Sequence, residues 1–110
     1  MSDHSTEIGP VVVALPAEID VTNSDAVYQE LIAALAPGVR TVIADLTATS
    51  FCDSSGVHAI VRAHELAAGS QIALRVAVSP EGSVRRVLQL TGAVQVMPVH
   101  STVAEALSAV

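Results

Sequence analysis

The sequence contains no lysine and no tryptophan, and it has one phenylalanine, one tyrosine and one cysteine among 110 residues. With Phe51 and Tyr28 as its aromatic side chains, the chain lacks the stacking platforms on which single-stranded nucleic acid binds. The absence of lysine removes the phosphate-binding lysine of a P-loop, and no G-x-x-x-x-G-K-[ST] stretch is present. These absences exclude a P-loop ATPase or GTPase.

Positive charge is scarce, since five arginines stand against eleven aspartates and glutamates and the formal net charge is −6. Such a chain is repelled by a phosphate backbone, so we expect no nucleic-acid partner. The apolar runs are much shorter than the roughly 20 residues of a bilayer span, so no membrane insertion is expected. A polar, acidic amino terminus and the lone Cys52 favour the reducing cytoplasm. Arginine without lysine, together with abundant alanine and valine, is typical of GC-rich bacterial genomes.

Aliphatic residues dominate the 51% of the chain that is hydrophobic, and 110 residues suit one domain with one core. Runs of β-branched residues predict strands at 10–15, 41–46, 71–78 and 94–99. Residues 1–8 are expected to form a flexible lead or an edge strand, ahead of a domain over 9–110. Strands that alternate with helices through short connections predict an α/β fold, with a mostly parallel sheet of four to five strands and about four helices.

Capping residues mark where the four predicted helices begin. Thr22, with Asp25 three residues later, predicts the start of the first helix, and Pro37 follows its end. The second helical period starts at Val57 and closes at Gly69. The last two helices are expected to begin at the pair Ser79-Pro80, with Gly92 after the end, and at Thr102 with Glu105 as a capping box.

The segment Asp53-Ser54-Ser55-Gly56 lies where a loop enters the second helix. Ser54 suits the N-cap position, Ser55 lies in the first turn near unpaired backbone N–H groups, and Gly56 adds little bulk. A helix amino end favours negative charge, so a phosphate on Ser55 is tolerated there. The same residues are equally those of a plain helix cap, and the local sequence leaves both interpretations open.

At this segment the chain resembles a family, the STAS domains, and within it the single-domain anti-sigma factor antagonists. The resemblance covers nearly the whole chain and rests on five segments. These segments are residues 15–20, residues 42–46, Phe51-Cys52-Asp53-Ser54-Ser55-Gly56, residues 84–92 and residues 105–107. Ala17 stands where the family usually has glycine before Glu-[Leu/Ile]-Asp, and Pro16 precedes it, so the choice of partner can differ here.

The resemblance implies a switch by phosphorylation and no enzymatic activity, cofactor or metal in this chain. Ser55 would be the phosphate acceptor, with Ser54 as the alternative. The unphosphorylated form would bind an anti-sigma factor that is itself a serine kinase, and so free a sigma factor; a PP2C-type phosphatase would reverse the modification. ATP and magnesium would belong to the kinase. The partner-binding residues would be Glu18, Asp20, Asp53, Ser54, Ser55, Gly56 and His58.

Other interpretations remain beside this one. A serine hydrolase would use Ser55 with His58 or His64 and Asp53, although the segment lacks the G-x-S-x-G elbow. The two histidines are six residues apart, about 240° around a helix, so they cannot share a metal on one face. His64 is expected to be a partly buried, hydrogen-bonded side chain. Within the family, the rival role is a scaffold subunit of a stress-sensing or lipid-transport complex in which Ser55 is never modified.

Three side chains have a structural and a chemical interpretation. Cys52 is either a small buried residue or a reactive thiol, and free cysteine more commonly packs as the former. Arg85 and Arg86 either contact a partner or a phosphate, or they lie on a solvated helix face.

Overall fold

Four parallel strands form the centre of the protein. The computed structural model describes residues 8–109, so the predicted lead lies outside the described residues except for Ile8, which makes one parallel bridge with Val39. The strands are β1 (Val11–Ala14), β3 (Thr41–Asp45), β5 (Ala73–Ala77) and β6 (Val99–His100), and they pair in the order β1-β3-β5-β6. The predicted α/β fold with a parallel sheet is confirmed.

A second, two-stranded sheet was not predicted. Glu18 and Ile19 form β2, Phe51 and Cys52 form β4, and the two strands pair in parallel. Each strand has only two residues, too few for an alternating pattern to be read from the sequence. Between residues 8 and 109 this small sheet lies beside the four-stranded one and leads directly into the second helix.

Within residues 8–109, four helices cover the two faces of the main sheet: α1 (Ser24–Ala33), α2 (Ser54–Gly69), α3 (Ser83–Leu90) and α4 (Val103–Ser108). Successive residues of β3 point to opposite faces, so Val42 and Ala44 join the larger core with α1, α2 and α3. Ile43 faces the other way and packs with Ala77 and Ala106 of α4. Neighbouring parallel strands are buried on both faces, which explains their continuous apolar runs.

Three of the predicted helix N-caps are wrong: that of the second helix, which is Asp53 and not Ser54, and those of the first and third helices. The first helix has Asn23 rather than Thr22 as its N-cap, because the Asp20 carboxylate binds both the backbone amide and the hydroxyl of Thr22. The third helix begins at Ser83, with Gly82 as N-cap, rather than at Ser79-Pro80. Residues 78–82 remain a loop because the Arg85 guanidinium binds the carbonyls of residues 78 and 79. By contrast, the Thr102 hydroxyl accepts the Glu105 amide at 3.0 Å, which confirms that cap.

The predicted strand at 94–99 is only partly correct. Residues Ala93–Gln95 form a 3₁₀ turn that follows Gly92 in the left-handed conformation, at φ 80°. The turn places Met97 in the core, and the strand is confined to β6. Residues of high β-propensity form a turn here because burial and the preceding helix end decide the local conformation.

The carboxyl end of α2 contains a strained residue. Gln71 has φ 62°, in the left-handed region, and its amide donates to the Ala68 carbonyl at 3.1 Å. The Ile72 amide donates to Ala67 at 2.9 Å, which makes this a Schellman-type end. Glutamine at this position destabilises the folded protein relative to glycine, because its Cβ crowds the following carbonyl oxygen.

We expect Gln71→Gly to stabilise the protein by about 0.5–1 kcal/mol, since relief of the left-handed strain exceeds the entropy that glycine gains in the unfolded chain. Urea unfolding followed by circular dichroism measures the change. The matched control is Ser70→Gly at the preceding residue, which has a negative φ of −104° and should gain nothing. Equal effects of the two substitutions would contradict the assignment of strain to Gln71.

Candidate functional site

The Asp53-Ser54-Ser55-Gly56 segment lies at the carboxyl edge of the sheet, held by the loop that precedes β2. The Thr49 hydroxyl donates to the Pro16 carbonyl at 2.8 Å, and the Ser50 amide donates to Ala17, also at 2.8 Å. The Asp53 amide then donates to the Ile19 carbonyl at 3.1 Å. These bonds tie the two parts of the chain together immediately before α2 begins.

Asp53, and not Ser54, is the N-cap of α2. Its Oδ1 atom accepts the backbone amides of Ser55 at 3.0 Å and Gly56 at 3.3 Å. The same oxygen accepts the Ser55 hydroxyl at 2.5 Å. That hydroxyl bond, assisted by the two amides, lowers the pKa of Asp53 below its ordinary value despite the opposing effect of burial. The amides that the sequence suggested were unpaired are therefore already occupied.

The two serines differ in their surroundings. Ser54 is exposed, whereas Ser55 is half-buried with its hydroxyl directed to Asp53. Ser55 nevertheless lines an open groove, so the residue is next to solvent-accessible space. The carboxylate accepts a hydrogen bond from the Ser55 hydroxyl and so orients it, whereas no such bond holds the Ser54 hydroxyl within the described residues.

Gly56 is buried, and its lack of a side chain leaves room for the side chains of neighbouring residues. A Cβ at this position would lie 2.6 Å from Ile19 Cγ2 and 2.7 Å from Cys52 Sγ. The small sheet β2-β4 therefore packs directly on the first turn of α2. Cys52 is 2% exposed, and burial, followed by the charge of Asp53, raises the pKa of its thiol to about 11. This supports the structural interpretation of Cys52, because a reactive thiol needs a depressed pKa.

The segment before α1 reaches the same edge of the sheet. Glu18 is exposed on β2, next to Phe51 in register, and Phe51 is 48% exposed. Asp20 is half-buried, and its carboxylate binds Thr22. The Asn23 side chain links the two acidic residues, since it donates to the Glu18 carbonyl and accepts the Asp20 amide. The Glu18 residue is thus exposed beside the Asp53–Gly56 segment, whereas the Asp20 carboxylate holds the loop before α1 by its bonds to Thr22.

Two open grooves flank the first turns of α2, and both include Ser54 and His58. The first, which we call the serine groove, has a volume of about 430 Å³ and lies towards α1. It is lined by Ser24, Asp25, Ser54, Ser55, His58, Ala59 and Arg62. The second, the apolar groove, has a volume of about 340 Å³ and lies towards the turn after α3. It is lined by Ser54, Val57, His58, Val61, Thr91, Gly92, Ala93 and Val96.

The structure also places the remaining candidates. His58 is exposed on the ridge between the grooves. His64 is partly buried, as expected, but its Nδ1 atom has no hydrogen-bond partner in the described part of the chain, so the prediction of a satisfied side chain is wrong at that atom. Arg85 has a structural role, binding the carbonyls of residues 78 and 79 and the Ser101 hydroxyl at 3.2 Å. Arg86 is exposed on α3.

The geometry argues against a hydrolase. The Ser55 hydroxyl donates to Asp53 and not to a histidine, so the nucleophile–base pair of a catalytic triad is not formed. Within residues 8–109 no group of three or more histidine, cysteine or acidic side chains could hold a metal ion. None of the helices in that range is long and apolar enough to span a bilayer.

Sequence reasoning missed Arg62 and its partner Tyr28. The Arg62 guanidinium lies over the Tyr28 ring, 4.2 Å from the centroid, and joins α2 to α1 at the wall of the serine groove. Arg62 is seven residues after Ser55, about two helical turns, so the spacing could have placed both residues on one side of α2. The position of Tyr28 opposite Arg62 depends on the packing of the two helices.

Comparison with known proteins places the chain in a family. The STAS domain family model matches residues 3–106, and the chain therefore belongs to the STAS domain family. A search of curated proteins finds no match.

Solved structures share the fold. An anti-sigma factor antagonist from Mycobacterium paratuberculosis is 27% identical, with a TM-score of 0.80 over 91% of this chain and 84% of that one. An anti-sigma-factor antagonist (STAS) domain protein from Planctomyces limnophilus is 26% identical, with a TM-score of 0.69 over 91% of this chain and 96% of that one. A Thermotoga maritima protein at 20% identity and a TM-score of 0.69, over 94% of this chain and 92% of that one, supports the fold alone.

We expect Gly56→Ala to destabilise the protein by about 1–3 kcal/mol, because the added methyl group overlaps Ile19 and Cys52. Chemical unfolding measures the loss. Gly69→Ala in the same helix meets no atom within 4 Å and should be neutral or stabilising by up to about 1 kcal/mol. If Gly56→Ala is as stable as Gly69→Ala, the close packing of β2-β4 on α2 is contradicted.

The lowered pKa of Asp53 predicts a pH-dependent contribution to stability. The ionised cap stabilises the fold above the ordinary carboxyl pKa of about 4 and loses this effect as the pH falls through the lower folded value. Asp53→Asn, which keeps a capping side chain, should lower the Tm at pH 5–7, and the difference from wild type should shrink below about pH 4. Ser55→Ala removes only the hydroxyl donor and should show part of the Tm difference from wild type that Asp53→Asn shows. A Tm difference that stays constant down to pH 3 would contradict this role.

Proposed function

We propose that this protein is an anti-sigma factor antagonist controlled by phosphorylation of Ser55. In its unphosphorylated form it binds an anti-sigma factor that is also a serine kinase, and this binding frees a sigma factor for transcription. The kinase transfers a phosphoryl group from its own ATP to Ser55, and the complex dissociates. A PP2C-type phosphatase removes the group, and the cycle takes place in the cytoplasm.

One observation carries this proposal: the Ser55 hydroxyl is held by a hydrogen bond to Asp53, and Ser55 lines an open groove on a STAS fold. The likeness to two anti-sigma factor antagonists at 26–27% identity supports the choice of partner. Ser54 is more exposed than Ser55, but it lacks the hydrogen bond to the carboxylate that favours Ser55 as the acceptor.

The docking surface we propose centres on the ridge of α2 between the two grooves. Exposed apolar side chains lie near it: Val96, 55% exposed, lines the apolar groove, and Phe51, 48% exposed, lies on β4 directly before α2. Exposed apolar residues around a polar centre are typical of a protein interface. A phosphate at Ser55 would place a charge of about −1.5 to −2 within this surface.

The change in binding affinity that the switch requires is physically reasonable. A hundredfold loss of affinity corresponds to about 2.8 kcal/mol. Repulsion from acidic groups of the partner and the desolvation of a phosphate at an interface supply an effect of this order. The fold does not have to rearrange, because the charge arises within the surface itself.

The experiment uses the Ser55→Ala chain as bait, because it binds the kinase but cannot be phosphorylated and released. The kinase recovered in this way, with ATP and magnesium, should add one phosphoryl group to the wild-type chain and to Ser54→Ala but none to Ser55→Ala, as measured by intact mass. In calorimetry Ser55→Asp should bind the kinase about a hundredfold more weakly than Ser55→Ala. Ser70→Asp adds the same charge about 22 Å away along α2 and should bind like wild type.

No gain of mass, or a gain that persists in Ser55→Ala and disappears in Ser54→Ala, would contradict Ser55 as the acceptor. Stable association without modification would instead support the scaffold role. Equal affinities of the Ser55→Ala and Ser55→Asp variants would contradict electrostatic control of binding.

A further inference from the structure

Asp53 restricts the orientation that a phosphate on Ser55 can take. In the unmodified chain the Asp53 carboxylate accepts the Ser55 hydroxyl and the amides of Ser55 and Gly56. A phosphoserine ester oxygen has no proton to donate, so the attraction to Asp53 becomes a repulsion between two anions. The helix amides are already bonded to the carboxylate. A phosphate on Ser55 must therefore turn away from the helix cap.

The serine groove is the open space next to Ser55, and it holds an arginine. Arg62 follows Ser55 by seven residues, so it lies on nearly the same side of α2, about 10.5 Å further along the axis. Long side chains on a helix lean towards its amino end, which directs Arg62 towards Ser55. The methyl group of Ala59 lies between the two and leaves the groove open.

The charged and titratable groups facing this space have both signs. Arg62 and His58 come from α2, Asp25 lines the opposite wall on α1, and Asp53 stands at the cap. Arg62 is the permanent cation among the groove-lining residues. In the unmodified chain its guanidinium rests on the Tyr28 ring. Charge-assisted bonds from a guanidinium to a phosphate are stronger than such an exposed ring contact.

We propose that Arg62 binds the phosphate of phosphorylated Ser55: the guanidinium leaves the Tyr28 ring and holds the phosphate in the serine groove. This role as a positioning residue rests on the proposed phosphorylation of Ser55. Phosphorylation then changes the docking surface twice, because it adds negative charge and withdraws Arg62 from any contact with the partner. The arrangement favours phosphate on Ser55 over Ser54, whose side chain is turned by about 100° from that of Ser55 around the helix.

The test installs phosphoserine at position 55 during translation, so it needs neither kinase nor phosphatase. Titration by ³¹P NMR should give a second phosphate pKa that is higher in Arg62→Gln than in wild type by about 0.5–1 pH unit, because a neighbouring cation favours the dianion. Arg62→Lys should restore part of this difference. Arg86→Gln removes an exposed arginine outside the groove and should leave the phosphate pKa unchanged.

A second readout comes from Tyr28, the chain's one tyrosine in a sequence without tryptophan. Its fluorescence should change when position 55 carries phosphoserine in the wild-type background, but not in Arg62→Gln, where no guanidinium leaves the ring.

An equal phosphate pKa in wild type and Arg62→Gln, or an equal shift in Arg62→Gln and Arg86→Gln, would overturn the proposal. Because the phosphate is installed directly, a failure here is distinct from a failure of the kinase to modify Ser55.

Discussion

The missing side chain at Gly56 is the constraint on which the rest of the site depends. Only a hydrogen atom fits where Ile19 and Cys52 approach the first turn of α2, at distances that a Cβ could not tolerate. This approach lets the small sheet β2-β4 end directly at Asp53, whose amide is bonded to Ile19. Asp53 is thereby positioned to cap the helix and to hold the Ser55 hydroxyl. A residue without a side chain thus determines the geometry of the residues proposed to bind the partner.

The site holds the Ser55 hydroxyl and an acidic cap in one hydrogen-bonded unit, and this has a consequence for the proposed phosphorylation. The same carboxylate that orients Ser55 would repel a phosphate on its oxygen. In the proposed modified state the phosphate would be directed away from the cap and into the serine groove, which Ser54 and His58 connect to the apolar groove. A change at one oxygen would then affect both sides of the α2 ridge without any movement of the sheet.

The parts of the site that sequence reasoning located are those formed within one continuous segment. The helix start at residues 53–56 was expected because capping residues act on amides two or three positions away, although the cap is Asp53 and not Ser54. The contacts that were missed join distant segments. Arg62 meets Tyr28 across two helices, Arg85 binds a loop and Ser101, and Ile19 packs on Gly56. Neither periodicity nor capping preferences carry information about such pairs.

The sequence by itself determined the α/β class, three of the four main strands and the serine-containing start of α2, because continuous β-branched runs and local caps act over a few residues. Tertiary structure alone decided that residues 93–95 form a turn, that the two-residue strands exist, and that Gln71 adopts a left-handed conformation. It also decided which groove Ser55 faces. The physical reason is that burial against residues distant in the chain outweighs local preference wherever a segment is too short to establish its own pattern.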